Sequence, residues 1–114
     1  MIRGFFEDDK SYFEMANLRN RRTGLPCVIW IQQKSGKEQH NARIKVSKKY
    51  GDKVFADEGL FTITIPDKGI IGDTGDIAEK DIKKIVDFID MNMEVLLKVW
   101  EGEIDSDEAV FVKV

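Results

Sequence analysis

The chain of 114 residues is poor in the residue types that form cross-links and metal sites. It contains one cysteine, Cys27, and one histidine, His40. A single cysteine excludes an internal disulfide, and a lone histidine without a Cys/His cluster excludes the usual zinc-binding arrangements. We therefore expect no metal and no cofactor, and we interpret Cys27 as a buried structural thiol.

Linker-like tracts and long apolar runs are also missing. With two prolines and no Pro/Ser-rich stretch, the sequence predicts a single domain over residues 1–114. Residues 1–24 form an arm or short helix and a basic loop, and residues 25–114 form the core. No apolar run is long enough to span a membrane, and the acidic start lacks a signal-peptide core. We expect a cytoplasmic protein without a membrane partner.

The net charge of −3 conceals an uneven distribution of charge along the chain. Residues 19–53 hold ten Lys/Arg and two Asp/Glu, whereas residues 54–114 hold six Lys and fifteen Asp/Glu. A basic middle followed by an acidic end is typical of proteins that interact through charged surfaces.

The stretch Asp76–Gly102 has the pattern of one long amphipathic helix. Its apolar residues recur at offsets of three, four and seven, which places them on one face. Asp76 with Glu79 resembles an N-terminal capping pair, and Gly102 can end the helix in the left-handed conformation. The predicted apolar stripe is Ile82, Ile85, Val86, Ile89, Met93, Leu96, Leu97 and Trp100.

The remaining segments predict a small sheet that covers this helix. Alternating apolar residues indicate half-buried strands, and the continuous run Val28–Ile31 indicates a strand covered on both faces. The predicted strands are 27–33, 42–47, 53–56, 60–65, 70–71 and 110–114. Ser11 with Glu14 predicts a short helix from Ser11 to about Arg19. The predicted fold class is α+β, a mostly antiparallel sheet of four to five strands with one long helix on one face.

The order of these elements, with the sequences VIWI, ARIKV, TITI and MEVLLKVWEG, resembles a group of small uncharacterised bacterial domains. In that group a His-containing loop precedes the second strand, a Leu-Leu-x-x-Trp sequence closes the helix, and some members are encoded beside toxin–antitoxin genes. The similarity covers residues 25–102. The group has a Pro- and His-rich loop where this chain has His40 followed by Asn41.

Three functions are compatible with the sequence. The favoured hypothesis is a non-enzymatic interaction domain that self-associates or docks on a protein partner. It depends on the uneven charge distribution and on the apolar strand Val28–Ile31, which is predicted to be covered on both faces. The second is a nucleic-acid-binding or toxin–antitoxin-type protein that uses the basic side chains of the 19–53 segment. Its candidate residues are Arg21, Arg22, Arg43 and Lys45. The third is a small enzyme that uses His40, with Glu38 and Arg43 nearby in sequence.

Overall fold

The computed structural model describes residues 15–34, 42–52 and 59–114. The predicted strand 53–56 and the start of the predicted N-terminal helix lie outside the described residues. In the part of the chain that is described, no helix has the length and apolar character needed to cross a membrane.

Within the described residues, five strands form one antiparallel sheet in which each strand pairs with the next along the chain. The strands are β1 (Met15–Leu18), β2 (Ile29–Gln32), β3 (Arg43–Ser47), β4 (Leu60–Thr64) and β5 (Ile70–Ile71). The predicted α+β class and the mostly antiparallel sheet of four to five strands are confirmed.

The two faces of the sheet have different compositions because side chains alternate along each strand. Ile44 and Val46 of β3 face the helices and are fully buried in the core, whereas Arg43 and Lys45 face the other side and are half-buried. All four residues of β2 are buried, as the continuous apolar run predicts. The sheet therefore has an apolar face under the helices and an outer face that carries cations.

Two helices, not one, pack on the apolar face. They are α2 (Glu79–Met91) and α3 (Met93–Trp100), and they are separated at Asn92. The backbone of Asn92 has φ −118° and ψ 19°, outside the α-helical region. The prediction of one uninterrupted helix over Asp76–Gly102 is therefore wrong, although the amide of Leu96 still donates to the carbonyl of Asn92 across the junction.

The predicted start of the helix is also wrong, whereas its predicted end is confirmed. Asp76 lies before the helix, and the N-cap is Ala78, whose amide donates to the Tyr50 hydroxyl at 2.9 Å. At the other end Gly102 adopts φ 81°. The amides of Gly102 and Glu103 donate to the carbonyls of Val99 and Lys98, which is the Schellman arrangement.

The residues that form the buried face of the two helices differ in part from the predicted apolar stripe. Ile85, Ile89, Leu96 and Trp100 are buried as predicted, but the other four predicted positions are only half-buried. Phe88 and Val99 are buried in their place, together with two polar residues, Asp81 and Asn92. The pattern of apolar residues alone missed the centre of the stripe because polar side chains occupy part of it.

Both ends of the described chain differ from the prediction. Residues Met15–Leu18 form β1, paired with β2, and not the end of a helix that runs through Arg19. The predicted basic loop contains a single helical turn, α1 (Asn20–Thr23), closed by Gly24 at φ 78°. Residues 110–114 do not pair with a strand of the sheet, so the predicted last strand is wrong.

Candidate interaction site

The segment Ala109–Val114, called the valine segment here, lies across one side of the molecule next to α1 and α2. Its side chains alternate between the body of the protein and solvent. Ala109 is buried and Phe111 is half-buried against the core. Val110, Val112 and Val114 are 84%, 58% and 44% exposed. Three exposed β-branched side chains in alternate positions form an apolar row.

The side chain of Asn92 holds the backbone of the valine segment. Its Oδ1 accepts from the amide of Val112 at 2.7 Å, and its Nδ2 donates to the Val112 carbonyl at 3.0 Å. Nδ2 also donates to the carbonyl of Phe88 at 2.9 Å, and Asn92 is 2% exposed. The buried amide thus provides the two hydrogen bonds that a neighbouring strand would provide.

Arg22 and α1 hold the rest of the segment. The Arg22 guanidinium donates to the carbonyls of Ser106 and Ala109 at 2.9 and 3.1 Å, and its carbon atom lies 5.5 Å from the centre of the Phe111 ring. Phe111 also packs on Phe88, with ring centres 5.7 Å apart. The amide of Val114 donates to the carbonyl of Thr23 at 3.0 Å. The segment is therefore held through its backbone at Ala109 and Val114 and through the ring of Phe111.

The backbone groups of the valine segment divide into two sets. Val112 and Val114 direct theirs toward the body, to Asn92 and Thr23. The carbonyl of Ala109 also faces the body, where it accepts from Arg22. Beyond Ala109, alternation in an extended chain would direct the backbone groups of Phe111 and Lys113 to the side opposite those of Val112 and Val114. Among the residues that the structure describes, none forms a hydrogen bond with the backbone of Phe111 or Lys113. As far as residues 15–34, 42–52 and 59–114 are concerned, the segment therefore has an unpaired strand edge beside its row of valines.

The four basic residues predicted to bind nucleic acid are divided between two parts of the molecule. Arg21 and Arg22 belong to α1, which follows the end of β1 that pairs with Ile29. Lys45 lies on the outer face of β3, and Arg43 lies at the far end of that strand, opposite Thr64. Arg22 is engaged with the valine segment, whereas Arg21 is exposed. Nucleic-acid binding by these residues stays a prediction.

Arg43 and Lys45 stand close together in a partly desolvated setting. The Lys45 ammonium donates to the Thr62 hydroxyl at 2.8 Å, and the buried Nε of Arg43 has no hydrogen-bond partner. Burial, followed by the charge of Arg43, lowers the pKa of Lys45. Within the described chain neither cation has a carboxylate partner.

The residues considered for catalysis or metal binding give no catalytic arrangement within the described ranges. His40 lies outside them. Cys27 is buried, and desolvation together with the charge of Asp81 raises its pKa to about 12, so the thiol stays protonated at neutral pH. No three His, Cys, Asp or Glu side chains in residues 15–34, 42–52 and 59–114 form a group that could hold a metal ion.

The buried carboxylate of Asp81 has a structural role. The Tyr50 hydroxyl donates to Asp81 Oδ2 at 2.6 Å, and this hydrogen bond raises the pKa of Tyr50. The same hydroxyl accepts from the amide of Ala78. Tyr50 therefore joins the segment after β3 to the first turn of α2.

Sequence reasoning missed the two residues that organise the candidate site, Asn92 and Phe111. Asn92 had a usable signal: it follows Ile89 by three positions and precedes Leu96 by four, so helical spacing places it among buried residues. A buried amide needs hydrogen-bond partners. The identity of its partner, 20 residues further along the chain, could not be read from local spacing.

Comparison of the chain with protein-family models, with curated proteins and with solved structures gave no match. The resemblance to small bacterial domains therefore stays a prediction.

Proposed function

We propose that the protein is a non-enzymatic interaction domain that self-associates through the open edge of the valine segment. The observation that supports this proposal is that Phe111 and Lys113 have no backbone hydrogen-bond partner in the described part of the chain, together with the exposed valines at 110, 112 and 114. Natural proteins usually protect such an edge with charge, proline or a covering element. Here Asn92 and Arg22 fix the segment in an extended form that a second copy can pair with.

Two-fold symmetry restricts how two valine segments can pair. In an antiparallel pair, directly opposite residues lie on the same face of the sheet. A two-fold axis also places each residue of both copies on the same face. The residue numbers of an opposite pair must therefore be both odd or both even. Pairing Phe111 with Lys113 of the second copy uses the outward backbone groups of both chains. That register places Val112 opposite Val112 and Val110 opposite Val114, so all three valines of each copy gain a cross-strand partner.

Shifting this register by two residues is less favourable. One shift places Lys113 opposite Lys113, which brings like charges together. The other places Val114 opposite Glu108. A pairing of five residues per chain buries less than the usual area of a stable interface, so we expect a reversible dimer and not an obligate one.

Disulfide trapping tests the register directly. Opposite residues in a non-hydrogen-bonded pair have Cα atoms about 4.5 Å apart, within the range that a disulfide can bridge. Val112→Cys should therefore form a disulfide-linked dimer under mild oxidation. The buried thiol of Cys27 should not contribute, and the wild-type chain under the same conditions checks this.

Single variants Val110→Cys and Val114→Cys provide matched controls because neither residue faces itself in the proposed register. Each alone should cross-link poorly, whereas an equal mixture of the two should form a heterodimer. If Val112→Cys stays monomeric at concentrations where the wild type is dimeric, the proposed interface is wrong. Cross-linking only with another protein would indicate a partner-docking edge in place of self-association.

We further propose that the protein acts in the cytoplasm. A reducing compartment keeps a single cysteine as a thiol, in agreement with the buried free thiol of Cys27. Retention of a fusion of the full chain in the soluble cytoplasmic fraction would support this location, and export would contradict it.

A further inference from the structure

The outward side chains of the valine segment, called the valine face here, form an apolar surface that is separate from the edge of the segment. The valine face consists of Val110, Val112 and Val114, of which Val110 is 84% exposed. Alternation along an extended chain places these three side chains on one face and Phe111 and Lys113 on the other. No charged side chain therefore interrupts the row of valines.

The backbone beneath the valine face is held in place by the body of the protein. Asn92 bonds both backbone groups of Val112. The amide of Val114 donates to the Thr23 carbonyl, and a β-carbon on Gly24 would lie only 2.7 Å from the Val114 carbonyl oxygen. A surface that is fixed in this way loses little conformational entropy when another surface packs on it.

Pairing of two copies through the edge of the segment leaves the valine face uncovered. The two-fold axis of an antiparallel pair with Val112 opposite Val112 is perpendicular to the two-stranded ribbon. The bodies of both copies therefore lie below the ribbon, and the three valines of each copy lie above it. Together these side chains expose on the order of 300 Å² of apolar surface, which is typical of a patch that binds a partner.

We infer that the valine faces of two such dimers pack against each other, so that four copies form a tetramer. This inference rests on the proposed pairing through the edge of the valine segment. Stacked β-layers lie about 10 Å apart with interdigitating side chains, and β-branched residues in alternate positions suit such packing. Two ribbons stacked face to face are related by two-fold axes, so the assembly closes with D2 symmetry and does not grow into a fibre.

The area buried by edge pairing alone favours this second contact. Five paired residues per chain bury less than a stable interface usually does. Stacking of the two ribbons adds the apolar area of the valine faces and encloses it between the bodies of the four copies. The second contact should therefore stabilise the first, and the two steps should be cooperative.

The charges that precede the valine segment favour a second dimer over a lipid surface as the occupant of the valine face. Asp105, Asp107 and Glu108 are all exposed. Anionic headgroups would be repelled by these carboxylates. In the stacked ribbons the carboxylates lie at the ends and outside the apolar contact, so added salt should strengthen the tetramer by screening their repulsion.

Sedimentation equilibrium of the full chain over a range of concentrations tests the inference, together with hydrogen exchange of the Phe111 and Lys113 amides. The wild type should pass from monomer to dimer to tetramer. Val110→Thr keeps the β-branched shape, so the dimer with protected Phe111 and Lys113 amides should still form. Association of the dimers should weaken by at least about tenfold, because the new hydroxyl would be buried without a hydrogen-bond partner.

Two further variants sharpen the test. The double variant Val110→Thr/Val112→Thr should form no tetramer at concentrations where the dimer is complete. Ile71→Thr is the matched control, because it makes a similar change at a β-branched residue of β5 that is 51% exposed. It should leave both association steps unchanged. All the substituted side chains are largely exposed, so the variants should fold like the wild type.

The possible failures of the two proposals can be distinguished. A dimer with protected Phe111 and Lys113 amides that never forms a tetramer would overturn this inference and leave the edge pairing in place. A tetramer that is unaffected by the valine variants would also overturn it, as would Val110-dependent binding to phosphatidylcholine vesicles without a tetramer. The absence of any dimer would contradict the edge pairing and this inference with it.

Discussion

The side-chain amide of Asn92 forms the two hydrogen bonds with Val112 that a neighbouring strand would otherwise form. It accepts from the amide and donates to the carbonyl of the same residue, as the backbone of a neighbouring strand would. A third hydrogen bond, to the Phe88 carbonyl, fixes the orientation of the amide. The same residue marks the boundary between α2 and α3, so one side chain links the helix junction to the valine segment.

Replacing Asn92 should therefore weaken both features. We expect Asn92→Ala to lower the free energy of unfolding by about 1–3 kcal/mol, because it leaves the Phe88 and Val112 groups without their partners. Asn92→Asp should cost at least as much, since a carboxylate would face two carbonyl oxygens. Urea denaturation measures both changes, and Asn17→Ala, at an exposed position on β1, is the control. A loss below about 0.5 kcal/mol in both variants would contradict this role.

At the scale of secondary-structure elements, the two helices show what the helical spacing of apolar residues can predict and what it cannot. Helical spacing predicted a helix over most of residues 79–100 because apolar residues recur on one face. It placed the stripe off centre because Asp81 and Asn92 are buried through specific hydrogen bonds, to Tyr50 and to Val112. A hydropathy pattern carries no information on such distant partners.

The buried stripe can be tested at Leu96, which is fully enclosed in the core. Leu96→Ala should lower the free energy of unfolding by about 2–5 kcal/mol, because it removes packed methyl groups and leaves a cavity. Met91→Ala is the matched control, since Met91 is an exposed apolar residue at the end of α2. Chemical denaturation of the two variants should separate them clearly, and equal losses would mean that the stripe is assigned incorrectly.

Two predictions failed for related reasons. A helix was predicted through Met15–Leu18, which is a strand, and a strand of the sheet was predicted at the valine segment, which pairs with no strand of the sheet. Ser11 and Glu14 have the spacing of a helix start, but residues 15–18 pair with β2, and this long-range pairing overrides the local signal. Residues 110–114 have strand-forming side chains, and the chain is held there by side chains of Asn92 and Arg22 in place of a strand. Local propensity suggested an extended form but could not identify what holds it.

At the scale of the whole molecule, the fold class was predictable and the arrangement of sites was not. Alternation along 42–47 and 60–65 identified the strands and their buried faces, from which the antiparallel sheet follows. The basic residues looked like one group because they are close in sequence. The topology places Arg22 and Arg43 at different ends of the sheet, which a linear count of charge cannot show.

The charge partition of the sequence is partly neutralised within one chain. Lys34 pairs with Glu101, and Lys49 lies 3.9 Å from Asp76, so within the described residues ion pairs join the basic and acidic halves at two places. Both pairs are about half exposed and contribute little to stability. Arg43 and Lys45, on the outer face of β3, take part in neither of these ion pairs.

Hydrogen exchange of four backbone amides tests the proposed self-association most directly. In the monomer, the amides of Val112 and Val114 are bonded to the body of the protein, whereas those of Phe111 and Lys113 have no hydrogen-bond partner among the described residues. As the protein concentration rises, the proposal predicts that Phe111 and Lys113 become protected in step with the appearance of a dimer by light scattering. If a dimer forms while these two amides still exchange at the monomer rate, the interface lies elsewhere and the proposal is wrong.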